Sequence, residues 1–408
     1  MTVPDPDPLP PSSAGLGGYV DACATSPPSR AALNAIERAQ RLAWANPSSL
    51  HGPGLLAAEL LERSRQQLAS DLGCDPEELL FCSGASEALH LALLGSGAAE
   101  KPGRLLISAV EHPATLAAAA QLEQRGWQVA VVPVDGSGML RLEAFADLLA
   151  PPTRLVSLIW GQSEVGSLQP IAAAAELCQQ RGVCLHVDAV QVLGHRRFRF
   201  DDLPVDLLSC CAHKLQGPRG IGALLVRQGR LLRPLIGGGG QERGRRGGTE
   251  AVALAAGFAA ATAEAVARLR QGAGQDPIQP LRDRLLGELL RLPGIRLTGP
   301  EPGLADRRLP HHISVLVSDQ TGRPLSGRAL VRAMARRGFA LSSGSACSSN
   351  HGQSASPVLL AMGFSPEEAA AGLRISLGPW NQAQDLQALP QALAEARDEV
   401  AAATATPP

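Results

Sequence analysis

A chain of 408 residues with 45% apolar content can bury a large core and is long enough for more than one domain. Its formal net charge of −1 offers no bulk attraction to nucleic acid or to an acidic partner, and with 3% aromatics the core must be built of Leu, Val, Ile and Ala. Eight cysteines without compact spacing, and no Cys/His cluster at zinc spacing, point to free thiols in a reducing cytoplasm and to no metal.

Residues 1–18 are rich in Pro, Ser and Gly and have neither the basic start nor the apolar stretch of a secretory signal, so they read as a disordered tail. Tyr19 to Ser26 is a short extended segment, and Pro27-Pro28 leads into a helix from about Arg30 to Ala43. Asn46 to His51 is a turn, Leu55 to Leu72 is strongly helical, and Asp75-Pro76-Glu77 turns the chain into Leu79-Leu80-Phe81. Short apolar runs follow at Arg104–Val110, Trp127–Val134, Arg154–Trp160, Cys184–Val190, Leu207–Cys211 and Ile221–Val226. Helical stretches lie between them at Ser86–Leu94, Pro113–Arg125, Leu142–Leu149 and Ile171–Arg181.

Strands buried on both faces read as unbroken apolar runs, and their alternation with helices predicts an α/β fold, a mostly parallel sheet with helices on both faces. The runs flanking Gly217–Gly220 are too close for a helical crossover, so one antiparallel strand is expected there. Thr249 to Arg270 is a long Ala-rich helix and Gln271 to Pro280 a Gly/Pro linker. Beyond it the pattern becomes helix, strand (Ile313–Val317), helix, loop and helix, a smaller α+β domain. The expected division is therefore a large domain over 27–270, a small domain from 19–26 with 271–400, and a second disordered tail over 401–408. No apolar stretch reads as long and clean enough to span a bilayer, so no membrane is expected.

The chemistry gathers where apolar runs end. Lys214, in Ala212-His213-Lys214, closes a buried run; it is either a strand-ending lysine that reaches water or a desolvated amine able to attack a carbonyl. In Cys184-Leu-His-Val-Asp-Ala-Val-Gln191, alternation puts His186 and Asp188 on one face, with Gln191 just past the strand. Asp188 caps a helix or, at the carboxyl end of a parallel strand, meets a ligand. Ser83-Gly84-Ala85-Ser86 joins a strand to a helix, as a plain cap or as a phosphate cradle. His112 follows another strand, an ordinary loop residue or a proton carrier.

Gly237 to Thr249 is rich in Arg and Gly, but it is single, short and set between folded elements, which argues for an anion-contacting loop and against RNA. Cys347 sits in Leu341-Ser-Ser-Gly-Ser-Ala-Cys-Ser-Ser-Asn350, a small polar loop suited to a reactive thiol. Arg374 lies in an apolar, strand-like run, and burying it demands a carboxylate from protein or substrate.

Taken in this order, the His-x-Asp-Ala-x-Gln, Ala-His-Lys-x-x-Gly-Pro, Gly-Gly-Gly-Gln-Glu-Arg-Gly and Ser-Gly-Ser-Ala-Cys stretches resemble the cysteine desulfurases of the class V aminotransferase family. These are pyridoxal-phosphate enzymes of fold type I, and the resemblance runs from Tyr19 to about Gln382. It implies that Lys214 binds pyridoxal 5'-phosphate covalently, that Asp188 pairs with the ring nitrogen, and that His112 stacks on the ring and moves protons. It further implies that Gln191 contacts the ring hydroxyl, that Ala85, Ser86 and His213 hold the phosphate, and that Thr249 reaches it from the partner subunit of a homodimer. Asn46 and Arg374 would bind the carboxylate of L-cysteine, and Cys347 would accept its sulfur, for delivery to an acceptor or iron–sulfur scaffold protein.

Three positions depart from the family pattern. Gln162-Ser163-Glu164 stands where Asn-Asn-Glu is usual, so that Gln162, a longer amide, takes the place of an asparagine that contacts the ring hydroxyl and the substrate; Cys211 replaces a phosphate-binding serine, and the stretch from Cys347 to Val358 is one residue longer. A selenocysteine lyase or another class V reaction is the nearest alternative, and the thiol at 347 speaks against an aminotransferase. A catalytically weak paralogue that binds partners is the alternative of another class, supported only by positions 162 and 211.

Overall fold

The computed structural model describes residues 15–303, 307–344 and 355–405. Seven short apolar runs form one sheet: β1 (Leu79–Cys82), β2 (Arg104–Ser108), β3 (Gln128–Val132), β4 (Thr153–Ile159), β5 (Cys184–Asp188), β6 (Leu207–Cys211) and β7 (Gly222–Val226). Their spatial order is β1-β7-β6-β5-β4-β2-β3, and β7 alone runs antiparallel to its neighbours. The turn through Gly217–Gly220 is too short for anything else, as its sequence predicts.

Alternate residues of each strand feed cores on opposite faces. Val156, Leu158, Leu185, Val187, Leu208 and Cys210 join one core with Leu61, Leu68 and Phe258. Leu105, Ile107 and Leu155 turn the other way, against Leu89, Leu93, Ala118 and Leu122. Both faces are therefore dry, and the carboxyl ends of β2, β4, β5 and β6 open onto one edge, where such sheets carry ligands.

The Ala-rich helix Val252–Gln271 corrects one expectation, because by length and composition alone it is long and apolar enough to cross a membrane. In the fold Val252, Ala255, Phe258, Ala261 and Ala265 are core residues of the large sheet's first face. Alanine supplies enough mean hydropathy for a span while letting neighbouring helices approach closely.

A second, antiparallel sheet of order β10-β11-β9-β8 comprises β8 (Ile295–Leu297), β9 (His312–Val317), β10 (Ser342–Ser343) and β11 (Gly372–Ser376). β8 and β10 are too short to show a period and escape a reading of the sequence. The N-terminal segment is stitched to this sheet by bridges Tyr19–Ala340 and Asp21–Ser376, and Val20 packs in its core. The last helix runs Leu389–Ala405, so residues 401–405, which composition assigns to a loose tail, are helical. Alanine, the strongest helix former, carries that turn.

Candidate active site

Asp188 is the last residue of β5, flanked in register by Ile159 of β4 and Ser209 of β6. Its Oδ1 accepts from the Val190 amide at 3.0 Å. Burial pushes its carboxyl up to about 6, and the charge of Lys214 pulls the other way. Two residues earlier on the same face, His186 lies between the Ser157 and Ser209 hydroxyls, each 2.9 Å from a ring nitrogen. Burial takes this imidazole down to about 3, so it is neutral, donating to one hydroxyl and accepting from the other. A hydrogen-bonded bar thus crosses three strands directly behind Asp188.

At the end of β2, the Glu111 Oε1 accepts from the Ser108 hydroxyl at 2.5 Å and from the Ile159 amide at 2.9 Å. Its Oε2 is buried without a partner among the described residues. Burial, with Asp188 adding to it, pushes this carboxyl up to about 8. His112 caps the helix Pro113–Glu123, its Nδ1 accepting from the Ala114 amide at 3.1 Å. Burial and then Lys214 bring it down to about 4, so the neutral ring carries its proton on Nε2.

Lys214 follows β6. Its Nζ donates to the Cys23 carbonyl and, at 2.8 Å, to the Ala24 carbonyl, while the Gln191 Nε2 donates to the Cys23 carbonyl at 3.0 Å. The Ser26 amide and hydroxyl both reach the His213 carbonyl at 2.8 Å, and the His213 Nδ1 lies 3.1 Å from the Thr25 hydroxyl. Burial lowers His213 to about 4. Residues 23–26 thus clasp 213–214 across nearly two hundred positions of chain. The Cys211 thiol receives the backbone amides of His213 and Lys214, and burial pushes it up to about 12.

Beside this turn, the helix beginning at Ala85 has no side-chain cap, so the amides of Ala85 and Ser86 lack that partner. A Cβ on Gly84 would meet open space, whereas one on Gly222 would stand 2.7 Å from the Gly84 backbone. The glycine in β7 lets the cradle close up, and the one in the cradle keeps it open. Thr249 is exposed and, with Ser83 and Ile221, lines a separate cavity of ≈ 230 Å³. The loop before it is tied down from inside. Glu242 accepts two 2.8 Å bonds from Arg65 and one from the Phe81 amide, and Arg246 pairs with Glu87 at 2.8 Å.

Arg374, on β11, is buried and donates to Asp21 at 2.7 Å and to the Ser163 carbonyl at 3.2 Å; its Nε has no partner among the described residues. The carboxylate its burial demands is thus supplied by the protein. Glu164 accepts from the Ser356 hydroxyl at 2.6 Å, and burial pushes it up to about 7. Gln162 is placed differently from what the family pattern implies. Its amide oxygen accepts from the Glu164 and Val165 amides at 2.5 and 3.0 Å, and its Nε2 reaches the Val110 carbonyl at 3.3 Å. The longer side chain folds back over its own turn. Asn46 is exposed and accepts from the Ser48 amide at 2.9 Å, with no hydrogen bond to the cluster among the described residues. Cys347 lies outside the described residues.

Lys214, Asp188, Gln191, His112, His213, Cys211 and the Ala85–Ser86 amides therefore stand along one sheet edge. Glu111 and Glu164 were missed by the sequence reading, although Glu111 adjoins His112 and Glu164 lies two positions past Gln162. Asp21 and Cys23 carried no signal at all. The arrangement suits capture of a carbonyl compound by an amine, a carboxylate for a cationic ring nitrogen, and an anion at a helix N-terminus.

The family model described as Aminotransferase class-V matches residues 18–389. The cysteine desulfurase IscS of Clostridium botulinum (strain Kyoto / Type A2) is 34% identical over 362 residues, 87% of this chain and 89% of that protein. A solved NifS-like protein superposes with a TM-score of 0.84 at 31% identity, covering 94% of this chain and 99% of that one. SspA in complex with cysteine gives 0.76 at 29% identity, over 90% and 100%.

Proposed function

The chain belongs to the class V aminotransferase family, among its cysteine desulfurases, and from that premise we propose that it converts L-cysteine to L-alanine and takes the sulfur onto Cys347 as a persulfide. The observation that carries the reading is Lys214, its amine clasped by residues 23–24 and its charge felt by Asp188, His112, His213 and Cys211. In the overall reaction the carbon–sulfur bond of cysteine breaks and its electron pair takes up a proton on carbon. The thiolate of Cys347 supplies the pair for the new sulfur–sulfur bond.

The residues fit pyridoxal 5'-phosphate. Lys214 would hold its aldehyde, Asp188 its ring nitrogen, Gln191 its hydroxyl, and the Ala85 and Ser86 amides with His213 its phosphate. Bound there, the cofactor would draw electrons away from the bonds of an amino-acid substrate. His112, neutral with its proton on Nε2, is suited to hand a proton over or take one. The neutral bar Ser157–His186–Ser209 fixes the wall behind Asp188 without adding charge to it. The unpartnered Nε of Arg374 is a donor left for a substrate carboxylate.

The chain is read as a homodimer. Trp44 and Leu50 are 70% and 90% exposed, with Leu42 and Leu55 exposed beside them, and Thr249 is presented outward. The seven described cysteines are all free thiols, which supports a reducing, cytoplasmic setting; from there the sulfur would pass to an acceptor or iron–sulfur scaffold protein.

The test is to incubate the purified protein with pyridoxal phosphate and L-cysteine and to measure alanine and sulfide. Alanine is expected from the native chain, rising between about pH 7 and 8.5 as an ordinary thiol ionises. None is expected from Cys347→Ser, which should still bind cofactor and turn yellow. Full turnover by that variant would overturn the proposal.

A further inference from the structure

Residue 23 is held at every polar atom it owns. Its amide donates to the Ser376 hydroxyl at 2.9 Å, and its carbonyl receives Gln191 and Lys214. Its thiol lies 3.3 Å from the His311 Nε2. His311 is fully buried, and its ring stacks on His195 with centroids 3.5 Å apart and planes 14° from parallel. His195 in turn sits 2.7 Å from the Asp276 carboxylate, which also accepts from the Ile278 amide. The line Cys23–His311–His195–Asp276 runs from the lysine clasp, through the residue before β9 and the loop after β5, to the linker between the two sheets.

The protonation states along this line follow from burial. Asp276 stays ionised because, against burial, His195 and Arg268 hold it below the ordinary carboxylate range. It therefore accepts the hydrogen bond of the His195 Nδ1 and fixes that ring. Burial keeps His311 neutral and pushes the Cys23 thiol up. A neutral thiol and a neutral imidazole nitrogen at this distance share one hydrogen bond, and it is the contact that Nε2 makes, since Nδ1 of His311 is buried without a partner among the described residues. Held this way, Cys23 is no second nucleophile.

We propose that Cys23 is a positioning residue, whose thiol, fixed on His311, holds its carbonyl where it receives the Lys214 amine. Cys23 and Ala24 lie in a tight turn closed by the Ala24 amide on the Asp21 carbonyl, so a side-chain anchor on this turn sets the direction of both lysine-binding carbonyls. These two carbonyls are then the resting place of the lysine whenever it is released. The inference rests on the assignment of Lys214 as the cofactor's lysine, but its structural claim concerns the amine alone.

The chain has only two lysines, Lys101 and Lys214, and Lys101 is exposed, so one serves as internal standard for the other. The full-length protein without cofactor is labelled with acetic anhydride from pH 6 to 10, and the ratio of the two acetylated peptides is read by mass spectrometry. Lys214 faces the titratable groups Asp188, His112, His213, Cys211 and Cys23, none of which the anchor variants other than those at position 23 remove.

Loosening the carbonyls stabilises the ammonium less, so Cys23→Ala should label at Lys214 about threefold faster near neutral pH, relative to Lys101. His311→Leu, which leaves residue 23 intact, should reproduce the rise, and Cys23→Ser, which keeps a donor, should restore part of the native rate. Native labelling in both Cys23→Ala and His311→Leu would overturn the proposal, whatever happens to their melting temperatures. Should either fail to fold, the other with Cys23→Ser decides by the same ratio. A native chain that never turns yellow with pyridoxal phosphate would sink the functional reading while leaving the labelling result to stand.

Discussion

Two regions of the site are built on opposite plans. At the carboxyl ends of β4, β5 and β6, Ser157, His186, Ser209 and Asp188 are neighbours by strand alternation and register, and Glu111, just past β2, joins them through the Ile159 amide. They are buried with no opposite charge beside them among the described residues other than Lys214, and burial drives every ionisable member toward its neutral form. At the seam between the sheets, Asp21, Ser163, Glu164 and Arg374 come from distant parts of the chain and hold a formal ion pair. The first region holds its carboxylates against the cost of burial, with the Lys214 amine as the counter-charge of Asp188; the second pairs its charges directly and joins the sheets with them. Mutations in the two should therefore divide between ligand affinity and stability.

The sharpest way to break that comparison is to remove one carboxylate from each. Asp21→Ala strands the buried Arg374 guanidinium, and about 3 kcal/mol of stability should go with it, read as a lower midpoint of denaturant unfolding. Asp188→Asn should leave the midpoint unchanged or raise it, because the carboxylate it removes is one that burial disfavours. It should instead weaken pyridoxal phosphate binding about tenfold or more, through loss of a charge-assisted bond. Equal loss of stability in both variants would erase the distinction.

A smaller effect sharpens the first region. Glu111 is raised to about 8, so the proton it holds favours the folded state. That contribution is complete below the ordinary glutamate range and is lost as pH rises through 8. Glu111→Gln keeps the accepting oxygen and has no proton to lose. Its stability relative to the native chain should climb from about pH 5 to 8, by on the order of a few kcal/mol, and then level off. Asp188 and Glu164, at about 6 and 7, titrate earlier and remain in both proteins. A flat difference across that range would mean that Glu111 is ionised in the fold.

What could be read in the chain divides along the same line. The shared face of His186 and Asp188, the lysine at a strand's end and the antiparallel β7 all follow from period and spacing, which are local. The hydroxyls that grip His186 lie on other strands, and only register selects Ser157 and Ser209 from the many serines. The seam was not legible: Asp21 and Arg374 are 353 positions apart, and a buried arginine announces that it needs a carboxylate without saying which. Gln162 shows a different limit. The family pattern identifies the position, but one extra methylene lets the amide fold back onto its own turn, which no residue name reveals.

Cys211 yields the smallest and most selective test. It ends β6 on the face of Asp188, fully buried, with its sulfur over the amides of His213 and Lys214. A thiol that burial keeps neutral is a weak donor and a weak acceptor, so this position contributes little to an anion bound at the Ala85–Ser86 amides. Serine is smaller and a stronger donor. Cys211→Ser should therefore tighten pyridoxal phosphate binding by up to about 1 kcal/mol, a few-fold in dissociation constant, while leaving the spectrum of the bound cofactor unchanged. The gain belongs to the phosphate, so the same substitution should tighten inorganic phosphate, measured by competition, and leave pyridoxal itself unaffected. An unchanged or weaker dissociation constant for all three would mean that the Cys211 side chain turns away from the cradle and serves only the 213–214 turn.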